Sequence, residues 1–216
     1  MITTIIFDMN GVITDDEDCH ELATKKAFNQ VGVVITPEIY RKFCLGRRDT
    51  TAFKELITEF QINNRNVEDL IFAKTEFYLE LIKNNLKLYP GVVELIHTLH
   101  KKYTLALTTS STCAEVETVI NKLQIGKLFK TIVTAEDVKH GKPNPEPYLL
   151  TADKLDVNFE DCLVIEDSEN GIRSAKSAGM KCVAITNTEN RHNLQLADRI
   201  VVNYSEINET FIQNLS

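Results

Sequence analysis

Thr3-Thr4-Ile5-Ile6-Phe7-Asp8-Met9-Asn10-Gly11-Val12-Ile13, close to the start of the chain, decides how the rest is read. A short apolar run rich in β-branched residues ends at an acid, and a glycine follows three residues later. That is how a buried strand running into a polar turn reads. Runs of the same kind recur at 104–108, 131–134, 162–165, 181–185 and 200–202. Between them, apolar residues at three- and four-residue spacing predict helices near 90–100, 114–123, 145–155 and 170–178. Strands alternating with helices predict an α/β core built on a parallel sheet.

The alternation breaks once. From about residue 16 to residue 88 helical segments follow one another at 22–31, 37–45, 51–60 and 67–82, with no strand between them. The expectation is an all-helical cap domain, residues 16–88, inserted after the first strand of a core made of 1–15 and 89–216. In open parallel sheets, ligands sit at the carboxyl ends of the strands. An insertion at that point is therefore expected to cover a site.

Composition narrows the function classes. The 216 residues carry 31 Asp+Glu against 24 Lys+Arg, a net charge of -7. Nucleic acid and anionic membranes both reward basic faces, so neither is expected as a partner. The opening apolar run is too short to span a bilayer and has no cationic flank. The five cysteines (Cys19, Cys44, Cys113, Cys162, Cys182) are odd in number and show no Cys-x-x-Cys spacing. They read as reduced thiols of a cytoplasmic protein, expected to act as a monomer. His97 and His100 lie three apart on a predicted helix with no Cys nearby in sequence and read as a solvated helix face.

The strand ends hold the chemistry. Asp8 follows the first strand, Thr109, Ser110 and Ser111 the second, and Glu166-Asp167-Ser168 the run at 162–165, while Lys142-Pro143 precedes a helix. Each piece alone has an ordinary reading as a turn, an N-cap or a solvated lysine. Together, at one sheet edge, they supply the parts of phosphoryl transfer. Clustered carboxylates suit Mg²⁺, hydroxyls, amides and a lysine hold a phosphoryl group, and one carboxylate can act as nucleophile.

The segments Phe7-Asp8-Met9-Asn10-Gly11-Val12-Ile13, Thr108-Thr109-Ser110, Lys142-Pro143 and Val164-Ile165-Glu166-Asp167-Ser168-Glu169-Asn170-Gly171 resemble the four motifs of the haloacid dehalogenase (HAD) superfamily. The subgroup they resemble holds beta-phosphoglucomutase and sugar-phosphate phosphatases with a helical cap on a Rossmann-like core. The resemblance implies Asp8 as nucleophile, and Thr109, the Ser110 amide and Lys142 as holders of the phosphoryl group. It places Mg²⁺ among Asp8, Glu166, Asp167 and the backbone carbonyl of Asn10. The substrate it implies is a small phosphorylated metabolite. In the cap, His20, the Gly46-Arg47-Arg48 loop and Lys74 with Tyr78 resemble positions that face the substrate.

One position departs from the pattern. The family places a second Asp two residues after the nucleophile as general acid/base, and here that residue is Asn10. A carboxamide cannot donate and recover a proton near neutral pH, and losing such assistance costs roughly 10²–10⁴ in rate. Three accounts stay open: an engineered Asp-to-Asn variant, an enzyme with another proton route, or a non-catalytic phosphate-ligand binder. Hydrolysis of a sugar or polyol phosphate is favoured over a mutase reaction, which demands more positive charge of the cap. A signalling receiver domain uses similar groups, but its acid pair comes first in the chain and it has no helical insertion.

Overall fold

A computed structural model describes residues 1–215. They divide into two compact units, Met1–Asp15 together with the chain from Leu88 onward, and Asp16–Lys87. Leu88 falls on the sheet side, where it forms an antiparallel bridge to Thr14.

The sheet unit contains β1 (Thr4–Phe7), β2 (Thr104–Thr108), β3 (Thr131–Val133), β4 (Cys162–Glu166), β5 (Lys181–Ile185) and β6 (Arg199–Val201). They form one six-stranded sheet in the order β3-β2-β1-β4-β5-β6. Every pairing is parallel. In this doubly wound order the strand sequence reverses between β1 and β4, which opens a crevice at their carboxyl ends. The register sets Phe7 against both Leu107 and Ile165. The residues that follow these three strands therefore share one edge of the sheet.

Burial explains the strand composition. All residues of β1 and β4 are buried, as expected of central strands covered on both faces. Ile6, Ala106, Val164, Cys182 and Ala184 pack with Tyr148, Ile172 and Ala175 in one apolar cluster. The last two helical residues come from α8 (Glu169–Ser177), and Tyr148 from α7 (Glu146–Leu155). The unit also has α5 (Val92–His100), on which His97 and His100 are exposed, α6 (Cys113–Leu123) and α9 (Glu209–Gln213). The last strand sits one residue earlier than its apolar pattern suggests. Arg199 pairs with Val183, and Val202 is left exposed.

The helical unit comprises α1 (Glu17–Asn29), α2 (Pro37–Phe43), α3 (Asp49–Glu59) and α4 (Val67–Asn85). Helix α1 starts five residues before the expected 22–31. Its first turn is polar and carries Glu17 and Asp18, which suit the positive end of a helix but give no apolar periodicity to read. This unit has its own core, in which Phe28, Phe43, Phe53, Leu56 and Leu70 are buried. The Phe28 and Phe53 rings meet edge to face at 4.9 Å. Among the described residues no helix is long and apolar enough to cross a membrane, and all five cysteines are free.

Phe28 is wholly buried. Phe28→Ala is expected to destabilise the helical unit by about 3–5 kcal/mol. Urea unfolding followed by far-UV circular dichroism measures this, and a loss below about 1 kcal/mol would mean the ring is not a core element.

Candidate active site

The site forms where β1, β2 and β4 end. Asp8 follows β1, Glu166 is the last residue of β4, and Asp167 comes next. Asp8, Glu166 and Asp167 are 8%, 0% and 4% exposed. A carboxylate oxygen from each lies within 4.8 Å of the others. Like charges this close and this dry repel strongly.

Lys142 answers part of that repulsion. Its Nζ donates to Asp8 Oδ1 at 2.9 Å, to Glu166 Oε1 at 2.6 Å and to the Thr108 carbonyl at 3.2 Å. The lysine is therefore buried, not solvated at a turn. Its loop is pinned by Glu146, which accepts the amides of Lys139 and His140 at 2.7 and 2.9 Å. Ser174 on α8 donates to the Asn144 carbonyl at 2.6 Å. Burial alone would lower the Lys142 pKa, but Asp8 and Glu166 raise it above its usual value.

The three acids respond differently. Burial pushes Asp8 up to about 7, against the pull of Lys142 and with Glu166 adding to the rise. Burial, Glu166 and Asp8 together raise Asp167 well above the usual carboxylate range. Burial acts on Glu166 as well, yet Lys142, the Tyr148 hydroxyl and the Asp167 amide hold it below its ordinary value.

Hydrogen bonds separate Glu166 from its neighbours. Oε1 accepts from Lys142 and from the Tyr148 hydroxyl at 2.8 Å. Oε2 accepts from the amides of Asp167 and Ser168 and from the Ser168 hydroxyl. Both oxygens are thus occupied by protein donors, and Glu166 offers a nearby cation charge more than a vacant lone pair. Gly171 permits this packing, since a Cβ there would fall 1.8 Å from Glu166 Oε1. Gly11 does the same for Asp167. Its φ is +78°, and a Cβ would fall 1.9 Å from Asp167 Oδ2.

With all three carboxylates ionised, the Lys142 ammonium would leave two negative charges uncompensated in a buried space. Oxygen donors with that surplus fit a hard divalent cation such as Mg²⁺.

The second strand contributes hydroxyls and amides. Thr109 is buried after β2, and its Oγ1 accepts the Ser111 amide at 3.1 Å. Ser110 is half-buried beside it. Thr112 then caps α6 through a reciprocal pairing with Glu115. The run 109–112 is therefore both the strand end and the approach to a helix N-terminus, where amides favour anions. The Ser111 hydroxyl donates to Asn10 Oδ1 at 2.5 Å, which fixes the orientation of the Asn10 carboxamide.

The remaining candidates lie in the helical unit. The His20 ring stacks on Tyr78 at 4.1 Å, and the Tyr78 hydroxyl donates to Asp16 at 2.5 Å. Lys74 is buried, lies 5.4 Å from the centre of the Tyr78 ring and pairs with Asp49 at 3.0 Å. Lys74 and Tyr78 are one turn apart on the buried side of α4. Arg47 forms a two-pronged pair with Glu55 at 2.5 and 2.9 Å. Gly46 has a φ of +65° in the preceding turn, and Arg48 is the N-cap of α3.

Sequence reasoning missed Tyr148 and Thr188, and it named Ser111 at its strand end without its bond to Asn10. Tyr148 looks like any core aromatic on a helix, and its hydroxyl finds Glu166 only when α7 packs on the sheet. Thr188 lies 21 residues beyond Asp167, to which it donates, and has no local pattern to mark it.

The family described as haloacid dehalogenase-like hydrolase matches residues 5–185. A phosphorylated carbohydrates phosphatase from Thermotoga maritima is 33% identical, the match covering 82% of each chain. Beta-phosphoglucomutase from Bacillus subtilis is 31% identical, over 84% of this chain and 82% of its own. Among solved structures, an Asp-to-Asn mutant of CbbY from Rhodobacter sphaeroides in complex with xylulose-(1,5)bisphosphate superposes with a TM-score of 0.87. It is 28% identical and covers 95% of this chain and 96% of that one. With a match across most of its length, a parallel sheet of the same fold and the acids and lysine at its strand ends, this chain belongs to the haloacid dehalogenase-like hydrolase family.

Proposed function

We propose that this chain carries the framework of a Mg²⁺-dependent phosphatase for a small sugar or polyol phosphate, working through an aspartyl-phosphate on Asp8, with turnover slowed by Asn10. The observation that carries the reading is the buried trio Asp8, Glu166 and Asp167, with the Lys142 ammonium paired to Asp8 and Glu166. The phosphatase and mutase relatives support the same class of chemistry.

In this reading Asp8, Asp167 and the Asn10 carbonyl hold the cation, and Glu166 lends charge beside it. The chemistry a bound Mg²⁺ would supply there is charge neutralisation of the phosphate oxygens, which would make phosphorus a better electrophile. Lys142 swings from Asp8 to the phosphoryl group, freeing the Asp8 carboxylate to attack in line. As the Asp8–phosphorus bond forms, the bond from phosphorus to the sugar oxygen breaks. Thr109 and the Ser110 amide hold the transferring oxygens. The departing oxygen takes a proton, which an aspartate at position 10 would supply and Asn10 cannot. A water molecule then attacks phosphorus and gives up a proton, which an aspartate at position 10 would accept; the Asp8–phosphorus bond breaks, phosphate leaves, and the Asp8 carboxylate is restored.

The helical unit supports hydrolysis over the mutase alternative. A mutase must grip a second phosphate with unspent positive charge. Arg47 is already committed to Glu55 and Lys74 to Asp49. We assign recognition of one phosphorylated metabolite to His20, Gly46, Arg47, Arg48 and Lys74, with Arg47 and Lys74 acting together with their carboxylate partners on its hydroxyls and not on a second phosphate. A binding module without turnover is the second reading, favoured by the Asn10 carboxamide that Ser111 holds in place.

Two measurements test these readings. Phosphate release from a panel of hexose, pentose and polyol phosphates is expected to rise roughly 10²–10⁴-fold in Asn10→Asp. Background rates in both forms would sink the phosphatase and leave the binder. Mg²⁺ at about 100 times its Kd is expected to stabilise the chain by about 2.7 kcal/mol, reversibly with EDTA. A melting temperature indifferent to Mg²⁺ would remove the cation from the scheme.

A further inference from the structure

Three side chains near the end of the sheet unit reach back to the catalytic loop, and all lie beyond residue 185, where the family match stops. Asn187 Nδ2 donates to the Gly11 carbonyl at 2.7 Å and to the Tyr204 hydroxyl at 2.9 Å. The buried Tyr204 hydroxyl in turn donates to the Val12 carbonyl. Thr188 Oγ1 donates to Asp167 Oδ2 and lies 3.3 Å from the Asp167 carbonyl. Gly11 joins the two halves. A Cβ on it would fall 1.9 Å from Asp167 Oδ2 and 2.9 Å from Thr188 Cγ2.

We infer that Thr188 is a positioning residue for Asp167, and that Asn187 and Tyr204 fix the loop carrying the Asn10 carbonyl, so that this clamp sets Mg²⁺ affinity. The inference rests on reading Asp8, Asp167 and the Asn10 carbonyl as the cation's holders. A carboxylate beside two others is pushed to rotate away from them. Among the described residues, Thr188 supplies the side-chain hydrogen bond that Asp167 accepts. With Oδ2 committed to that hydroxyl and packed on Gly11, Oδ1 is the oxygen left for ligation. Partners of this kind orient metal ligands, and losing one typically weakens metal binding 10–100-fold.

Thr188 is itself exposed, so replacing it leaves the apolar core intact. Valine keeps the shape and removes the hydroxyl, whereas serine keeps the hydroxyl. Mg²⁺ affinity of the full chain is measured by isothermal titration calorimetry, with melting in EDTA as the control for folding. Thr188→Val is expected to bind Mg²⁺ about 10–100-fold more weakly with an unchanged melting point, and Thr188→Ser to stay within about threefold of the parent. Parent-like affinity in Thr188→Val, or equal losses in both variants, overturns the positioning role alone. If the parent chain itself binds no Mg²⁺, the cation reading falls and takes this inference with it.

Discussion

The ammonium group of Lys142 lies among acids that would otherwise repel one another. Its bonds to Asp8, Glu166 and the Thr108 carbonyl tie together the ends of β1, β4 and β2. A buried carboxylate without such a partner is costly. Much of the local architecture keeps this contact in place. Glu146 and Ser174 fix the lysine's loop. Tyr148 and Ser168 occupy the lone pairs of Glu166 that the lysine leaves open.

The sheet order makes that contact geometrically available. Because β1 lies between β2 and β4, the residues after all three strands meet at one edge, although they are separated by up to about 160 positions in the chain. The charge there stays unbalanced toward the negative. Burial, with the neighbouring carboxylates, raises Asp8 and Asp167, and a divalent cation would offset both effects. The net charge of -7 describes the surface as a whole and not this pocket.

The strands and the break between them were legible because each apolar run has one interpretation. The residues 104–108 and 181–185 cannot form helices of useful length and are found as β2 and β5. Helix α1 was legible only from Leu22 onward, since Glu17 and Asp18 serve the helix dipole and not the core. The acids, lysine and hydroxyls were legible as a set through their order along the chain and their resemblance to a family. The different duties of Glu166 and Asp167 were not. Both are acids in one motif, and only the donors around them distinguish a saturated carboxylate from one with an oxygen to spare.

What the sequence by itself determined is local or linear: strand and helix content, the helical insertion, and which residue types stand at the strand ends, Asn10 among them. These follow from periodicity and from side-chain chemistry, which travel with the chain. The tertiary structure alone decided which groups meet. It buried Lys142 and Lys74, committed Arg47 to Glu55, turned Tyr148 toward Glu166 and brought Thr188 to Asp167. The physical reason is that hydrogen bonds and charge pairs depend on separations of a few ångströms, and separations between distant residues exist only once the sheet has set its strands side by side.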